Sequence, residues 1–313
     1  VRRIHAYPGF SEALREQLAE AFPEREFVVW ASPEEFIEGI ADVELLLALR
    51  PPRAHWSRAR ALRFIQVPGA GLDSLLPAPD LSERVRIANA RGVHDPEMSE
   101  FVLASILALV KHIPRALDQQ RRREWRPFAS RSLAGGTVGI LGLGAIGSAL
   151  ARRCKALGMR VVGTRRHPAP LPDVDAVYAA DETRRVLAES DVVVVALPLT
   201  DETRGSIDAR AIAAMKPRAW LVNVGRGGIV DEIAVVRALE RGALAGAAFD
   251  VFVDEPLPPE SPLWDAPNLL VTPHVAGLFP DYLKRVGALF VENIRRCEAG
   301  QPLLNEVDRS RGY

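Results

Sequence analysis

The chain has 313 residues, 48% of them apolar, and its 40 basic side chains balance 40 acidic ones. That length suggests two domains with sizeable cores, and zero net charge argues against nucleic acid or an anionic membrane as the main partner. The longest clean apolar run, Phe101–Val110, is too short to cross a bilayer. No signal-peptide pattern opens the chain. The two cysteines, Cys154 and Cys297, show neither pairing nor metal spacing, so a reducing, cytoplasmic setting and no metal site are expected.

The N-terminal third alternates strand and helix. Strands are predicted at Ile4–Tyr7, Phe27–Trp30, Glu44–Leu49, Phe64–Val67 and Arg86–Asn89. Ser11 precedes one helix. Ser32-Pro33-Glu34-Glu35 opens another with a capping box and a proline at the first helical position. This rhythm predicts a parallel sheet with helices packed on it.

A second unit begins at Asp95-Pro96, where Asp95 can cap a helix running to about Lys111, with Pro114 bending or breaking it. Arg121-Arg122-Arg123 reads as a solvated helix face. The apolar run beginning at Thr137 ends in Gly142-x-Gly144-x-x-Gly147 and leads into a helix-like segment, Ser148 to Leu157. This pattern cradles a dinucleotide pyrophosphate: one glycine turns tightly, one lets backbone approach the phosphates, one lets helix pack on strand. The helix N-terminus then faces the anion with free N–H groups. Further strands follow at Arg160–Gly163, Asp191–Ala196, Trp220–Val224, Ala245–Phe249 and Leu269–Thr272. A helix from Asp231 to Arg241 is capped by Asp231 and closed by Gly242, and a last helix spans about Pro280 to Glu298. The predicted fold class is α/β, with two doubly wound parallel sheets.

In an open parallel sheet, ligands bind beyond the carboxyl ends of the strands. Trp220–Val224 leads there to Gly225-Arg226-Gly227-Gly228, Ala245–Phe249 to Asp250 and then Glu255-Pro256, and Leu269–Thr272 to Pro273-His274. Arginine, carboxylates and histidine thus converge on the edge that also holds the glycine loop.

The chain resembles the D-isomer-specific 2-hydroxyacid dehydrogenase family over essentially its whole length. Val138–Gly147, Val195–Thr203, Leu221–Asp231, Phe249–Pro256 and Thr272–Gly277 carry the resemblance, which is to the glyoxylate/hydroxypyruvate reductase and phosphoglycerate dehydrogenase branches. It implies a Rossmann cofactor domain, 95–279, inserted into a discontinuous flavodoxin-like substrate domain, 1–94 and 280–313. It implies a homodimer with an arm from about 111–130; no extra C-terminal regulatory domain is expected.

The implied reaction is hydride transfer between a nicotinamide and C2 of a small 2-oxo acid, yielding a D-2-hydroxy acid. His274 matches the acid/base, and Glu255 the carboxylate that pairs with it and favours the imidazolium. Arg226 matches the substrate arginine, whose planar fork suits a carboxylate. In the first unit Val67–Asp73 matches the substrate loop, with the N–H groups of Ala70 and Gly71 on the carboxylate. Arg50 resembles a phosphate-binding arginine of the phosphoglycerate dehydrogenases. Trp56, Trp125, Leu278 and above all Tyr282 are candidates to shape the pocket. The implied cofactor contacts are Gly142, Gly144, Ala145, Ile146, Gly147, Leu197, Pro198, Thr203, Val224, Gly225, Asp250, His274, Ala276 and Gly277, with Asp250 near the nicotinamide carboxamide.

NAD-specific proteins place an acid at the end of the second strand. Here that position holds Arg165 and then Arg166, so NADP(H) is expected to be preferred, with NAD(H) possible. Formate dehydrogenases carry Gln where Glu255 stands. The alternatives that remain are a phosphoglycerate dehydrogenase-like enzyme and a nucleotide-sensing corepressor of the same fold.

Overall fold

The computed structural model describes residues 3–8, 11–72 and 74–309; Asp73, the last residue of the Val67–Asp73 motif, lies outside them. The chain divides into two units, Val1–His94 with Phe279–Tyr313, and Asp95–Leu278.

The first unit is built on β1 (Arg3–Tyr7), β2 (Glu26–Val29), β3 (Leu45–Ala48), β4 (Phe64–Gln66) and β5 (Arg86–Ala88). They form one parallel sheet in the order β2-β1-β3-β4-β5. β3 is the apolar run Leu45-Leu46-Leu47-Ala48, buried at every position, as a strand covered on both faces must be. α1 (Glu12–Ala21) places Leu14 and Leu18 on one face of the sheet. α2 (Pro33–Gly39) places Phe36 on the other, between Trp30 and Trp56. Ser32 caps α2 by accepting from the Glu35 N–H at 3.2 Å. The return bond of the predicted capping box is shifted: the Glu35 carboxylate takes the Ala31 N–H, not that of Ser32. Ser11 precedes α1 without a side-chain cap.

The second unit opens with α3 (Asp95–Val110) and α4 (Ile113–Arg122). Asp95 is the first helical residue rather than a cap outside the helix. The break falls where Pro114 requires it: α3 ends at Val110, His112 takes a left-handed conformation, and Pro114 enters the first turn of α4. The sheet comprises β6 (Thr137–Leu141), β7 (Arg160–Thr164), β8 (Ala176–Tyr178), β9 (Val192–Val195), β10 (Ala219–Asn223), β11 (Leu244–Phe249) and β12 (Leu269–Val271). All pairings are parallel, in the order β12-β11-β10-β9-β6-β7-β8. The sequence pattern did not foresee β8, a three-residue edge strand too short to show an alternation.

α5 (Ala145–Ala156) follows β6 and starts three residues before the predicted Ser148, so Gly147 lies inside it. α3 and α5 cover one face of the sheet through Val102, Ile106, Leu109, Leu150 and Cys154. α6 (Thr183–Glu189), α7 (Ala209–Ala213) and α8 (Glu232–Glu240) cover the other through Val186, Ile212, Val235 and Leu239. Asp231 caps α8 as predicted, accepting from the Ala234 N–H at 2.9 Å. The chain then returns to the first unit, where α9 (Tyr282–Glu298) packs Val286, Phe290 and Ile294 beside α1. Among the described residues no helix is long and apolar enough to cross a membrane.

Strand order in the second sheet reverses at β6: β7 and β8 lie to one side, β9 to β12 to the other. The glycine loop leaves β6 at this topological switch point, where open α/β sheets form their ligand crevice.

Candidate active site

The glycine loop has the local geometry its sequence demands. Gly142 has φ +103°, and a Cβ there would lie 2.6 Å from the Ala196 carbonyl oxygen. A Cβ on Gly147 would lie 2.2 Å from the Gly142 oxygen and 3.1 Å from an Ile140 methyl, so α5 touches its own strand at this point. A Cβ on Gly144, the residue before α5, would meet nothing within 4 Å. That open space lies at the helix N-terminus, beside Ala145 and Ile146. A pyrophosphate fits this cradle: backbone N–H groups and a helix dipole face it, and no side chain fills it. Leu197 and Pro198 leave the neighbouring strand β9, and Thr203 closes their loop by donating to the Pro198 oxygen at 2.7 Å.

Three further strand ends lie in sequence along the same edge. β10 runs out through buried Val224 and Gly225 into half-buried Arg226. Asn223, fully buried, braces this turn: its amide donates to the Arg226 oxygen (3.2 Å) and its oxygen accepts from the Gly225 N–H (3.1 Å). Gly227 packs so closely on the next loop that a Cβ would overlap the Phe252 carbonyl. That loop carries Glu255, whose Oε1 accepts from the Phe252 N–H at 3.0 Å. Its Oε2 lies 2.7 Å from His274 Nδ1. This bond fixes the imidazole plane and leaves Nε2 as the nitrogen for proton exchange. The histidine side chain is 40% exposed.

His274 itself has φ +52°. Asp250, 2% exposed at the end of β11, holds the surrounding loop. Its Oδ1 accepts from the Thr272 hydroxyl (2.6 Å) and the Val275 N–H (2.9 Å), and its Oδ2 from the Ala276 N–H (2.9 Å). Ala276 is buried and Gly277 half-buried just beyond.

At the end of β7, Arg165 and Arg166 are both exposed. The Arg165 N–H donates to the Tyr178 oxygen, fixing the backbone, and Arg166 pairs with Glu202 at 2.9 Å.

The first unit has its own cluster at the carboxyl edge of β3 and β4. Arg50 is exposed with φ +52°, and Ala70 and Gly71 are half-buried on the neighbouring loop. Three consecutive carbonyls of that loop are occupied: Pro68 by the Tyr282 hydroxyl (2.8 Å), Gly69 by the Ala90 N–H (2.9 Å) and Ala70 by the Asn89 amide (2.8 Å). The turn is therefore held through its carbonyls. Burial pushes the Tyr282 hydroxyl up to about 12, so it remains a donor at any working pH. Trp56, by contrast, is a core residue, fully buried beside Phe36, and shapes no pocket. Trp125 is 94% exposed and Leu278 also exposed. Asn89, Asn223 and Thr272 were not singled out from sequence. The only trace of Asn223 there is one amide inside an apolar strand.

Comparison with known proteins agrees with this geometry. The family described as D-isomer specific 2-hydroxyacid dehydrogenase, NAD binding domain, matches residues 103–276. The chain belongs to that family. A family structure from Xanthobacter autotrophicus in complex with NADPH and MES is 36% identical over 100% of this chain and 99% of that one, with TM-score 0.87. An NADPH-dependent glyoxylate/hydroxypyruvate reductase from Sinorhizobium meliloti, in complex with NADP and sulfate, is 33% identical over all of both chains, with TM-score 0.88. D-3-phosphoglycerate dehydrogenase of Methanocaldococcus jannaschii is 30% identical over 298 residues, but the chain spans only 57% of its length. The protein is thus an NAD(P)-binding oxidoreductase of the D-2-hydroxyacid dehydrogenase family, built on two parallel α/β sheets.

Proposed function

We propose that this chain is an NADP(H)-preferring reductase of a small 2-oxo acid, with glyoxylate or hydroxypyruvate as substrate. The observation that carries this reading is the 2.7 Å contact between His274 Nδ1 and Glu255 Oε2, one strand end away from the braced Arg226 turn. The two similar structures with NADPH or NADP bound support the cofactor, and the Sinorhizobium protein's name supports the substrate class.

The nicotinamide, when bound, supplies the hydride. Gly142, Gly144, Ala145, Ile146 and Gly147 would hold its pyrophosphate, with Leu197, Pro198, Thr203, Val224, Gly225, Ala276 and Gly277 along the rest of the edge. Arg165 and Arg166 would meet the 2′-phosphate. Arg226 binds the substrate carboxylate and polarises the C2 oxygen. His274 Nε2 gives a proton to that oxygen, and Glu255 keeps the ring oriented and compensates the imidazolium charge. Asp250 serves the site through the loop it anchors. In the other unit, the Ala70 and Gly71 N–H groups would grip a carboxylate and Arg50 would add positive charge. The protein would act as a homodimer, for which exposed Ile113 and Leu117 on α4, together with Trp125, supply apolar area.

The test is NADPH and NADH oxidation against glyoxylate, hydroxypyruvate, pyruvate and phenylpyruvate. Turnover with a small oxo acid and a higher kcat/KM for NADPH is expected, and His274→Ala should lower the rate by about 10²–10⁴-fold. A preference for NADH overturns the cofactor reading. Near-normal turnover by His274→Ala overturns the acid/base role. No turnover at all, with tight NADPH binding, moves the protein to a sensing role.

A further inference from the structure

We infer that Glu202 is a stand-in anion for the 2′-phosphate of NADP(H): it neutralises Arg166 in the free protein and sets how strongly NADP(H) is favoured over NAD(H). The inference rests on the reading of Arg165 and Arg166 as the 2′-phosphate site.

Three observations carry it. First, Arg166 Nη2 donates to Glu202 Oε2 at 2.9 Å, although the residues are 36 apart in sequence. Second, the pair spans strands that are not neighbours. Arg166 follows β7 and Glu202 follows β9, and in the sheet β6 with its glycine loop lies between them. The ion pair therefore passes over the edge where the nucleotide cradle opens. Third, Glu202 is delivered by a fixed turn. The Thr200 N–H donates to the Thr203 hydroxyl at 2.8 Å, the Arg204 N–H to the Thr200 oxygen at 2.9 Å, and the Gly205 N–H to the Gly228 oxygen at 2.8 Å.

The carboxylate is 77% exposed and its arginine 37%, so water solvates the pair well and it is easily exchanged. A phosphate dianion offers the guanidinium more charge and more acceptor oxygens than one carboxylate. NADP(H) would then bind by displacing Glu202 from Arg166. NAD(H), with only a 2′-hydroxyl at that place, would leave the pair intact. By holding Arg166, Glu202 thus penalises the phosphorylated nucleotide alone, and it lowers the discrimination that two arginines would otherwise give.

The experiment measures dissociation constants of NADPH and NADH, by fluorescence, for the wild-type protein, Glu202→Gln, Arg166→Gln and the double variant. Glu202→Gln should tighten NADPH about three- to fivefold, the size of one exposed ion pair, and leave NADH within about twofold. The gain should vanish in the Arg166→Gln background and shrink in 0.5 M salt. Equal tightening of both nucleotides, a gain that survives in the Arg166→Gln background, or no gain at all overturns the inference. Failure of the underlying reading shows separately: Arg166→Gln would then leave NADPH affinity unchanged with Glu202 in place, and the inference falls with it.

Discussion

Replacing Asp250 by Asn separates two roles that its position allows, direct contact with nucleotide and anchorage of the His274 loop. The carboxylate accepts three hydrogen bonds from that loop. An amide keeps only one acceptor oxygen. With that oxygen at the Oδ1 place, the bonds from Thr272 and Val275 survive. The amide nitrogen then faces the Ala276 N–H, donor against donor, at a residue that is 3% exposed. A buried N–H left unsatisfied costs about 1–3 kcal/mol. About 2 kcal/mol changes the ratio of seated to unseated loop by about thirtyfold. Amide hydrogen exchange at Val275 and Ala276 should therefore accelerate by about that factor, since it reports local opening. kcat should fall about ten- to thirtyfold as His274 leaves its productive place, while the dissociation constant of NADPH moves less than about threefold. Unchanged exchange at Val275 and Ala276, with weaker NADPH binding and normal kcat at saturation, would refute loop anchorage and make Asp250 a nucleotide contact.

Other outcomes follow from single contacts. Tyr282→Phe removes the bond to the Pro68 carbonyl, worth about 1 kcal/mol, so KM for the oxo acid should rise about fivefold with kcat held; an unchanged KM would detach this loop from substrate binding. Gly227→Ala drives a methyl into the Phe252 carbonyl and should destabilise the protein by about 3 kcal/mol, read as a lower urea midpoint; an unaffected midpoint would mean that the two loops move apart freely. His5, 3% exposed under Trp30, is pushed down from 6.5 to about 4, chiefly by burial and next by the Arg3 charge, with Glu26 and Asp42 opposing. The unfolded chain thus takes up its proton first as pH falls, so stability is lost from about pH 6.5 towards 4, by about 2 kcal/mol between pH 8 and pH 5. Urea midpoints at the two pH values should converge in His5→Phe; an equally steep profile in that variant would place the effect elsewhere.

What could be read from the sequence was what short segments encode. The glycine spacing forces its own turn, so Gly142, Gly144 and Gly147 are legible wherever a strand precedes and a helix follows. Arg226, Asp250 and His274 were legible because each ends an apolar run that reads as a strand, and a parallel sheet puts all such ends on one edge. Apart from Glu255, which the family resemblance paired with His274, their partners were not legible, since they are set by register across strands. Asp250 meets Ala276 26 residues later, Asn89 reaches back to Ala70, and Glu202 reaches Arg166 across β6. Trp56 shows the same limit from the apolar side. A tryptophan beside a proline-rich loop reads equally well as pocket wall or core, and only packing against Phe36 decides.

The backbone at the strand ends explains why these sites need such bracing. Gly142, Arg50 and His274 each have positive φ within three residues of a strand end: +103° for the glycine and +52° for the other two. Glycine takes that conformation freely, whereas a side chain there costs of order 1 kcal/mol and persists only where its surroundings fix it. For His274 the surroundings are visible. Asp250 ties the residues on both sides of it, and Glu255 holds its ring, so three hydrogen bonds and the 2.7 Å contact with Glu255 oppose relaxation of the left-handed turn. The buried carboxylate and the strained histidine therefore form one device: removing the anchor at Asp250 releases the backbone that places the acid, even though the two side chains share no contact.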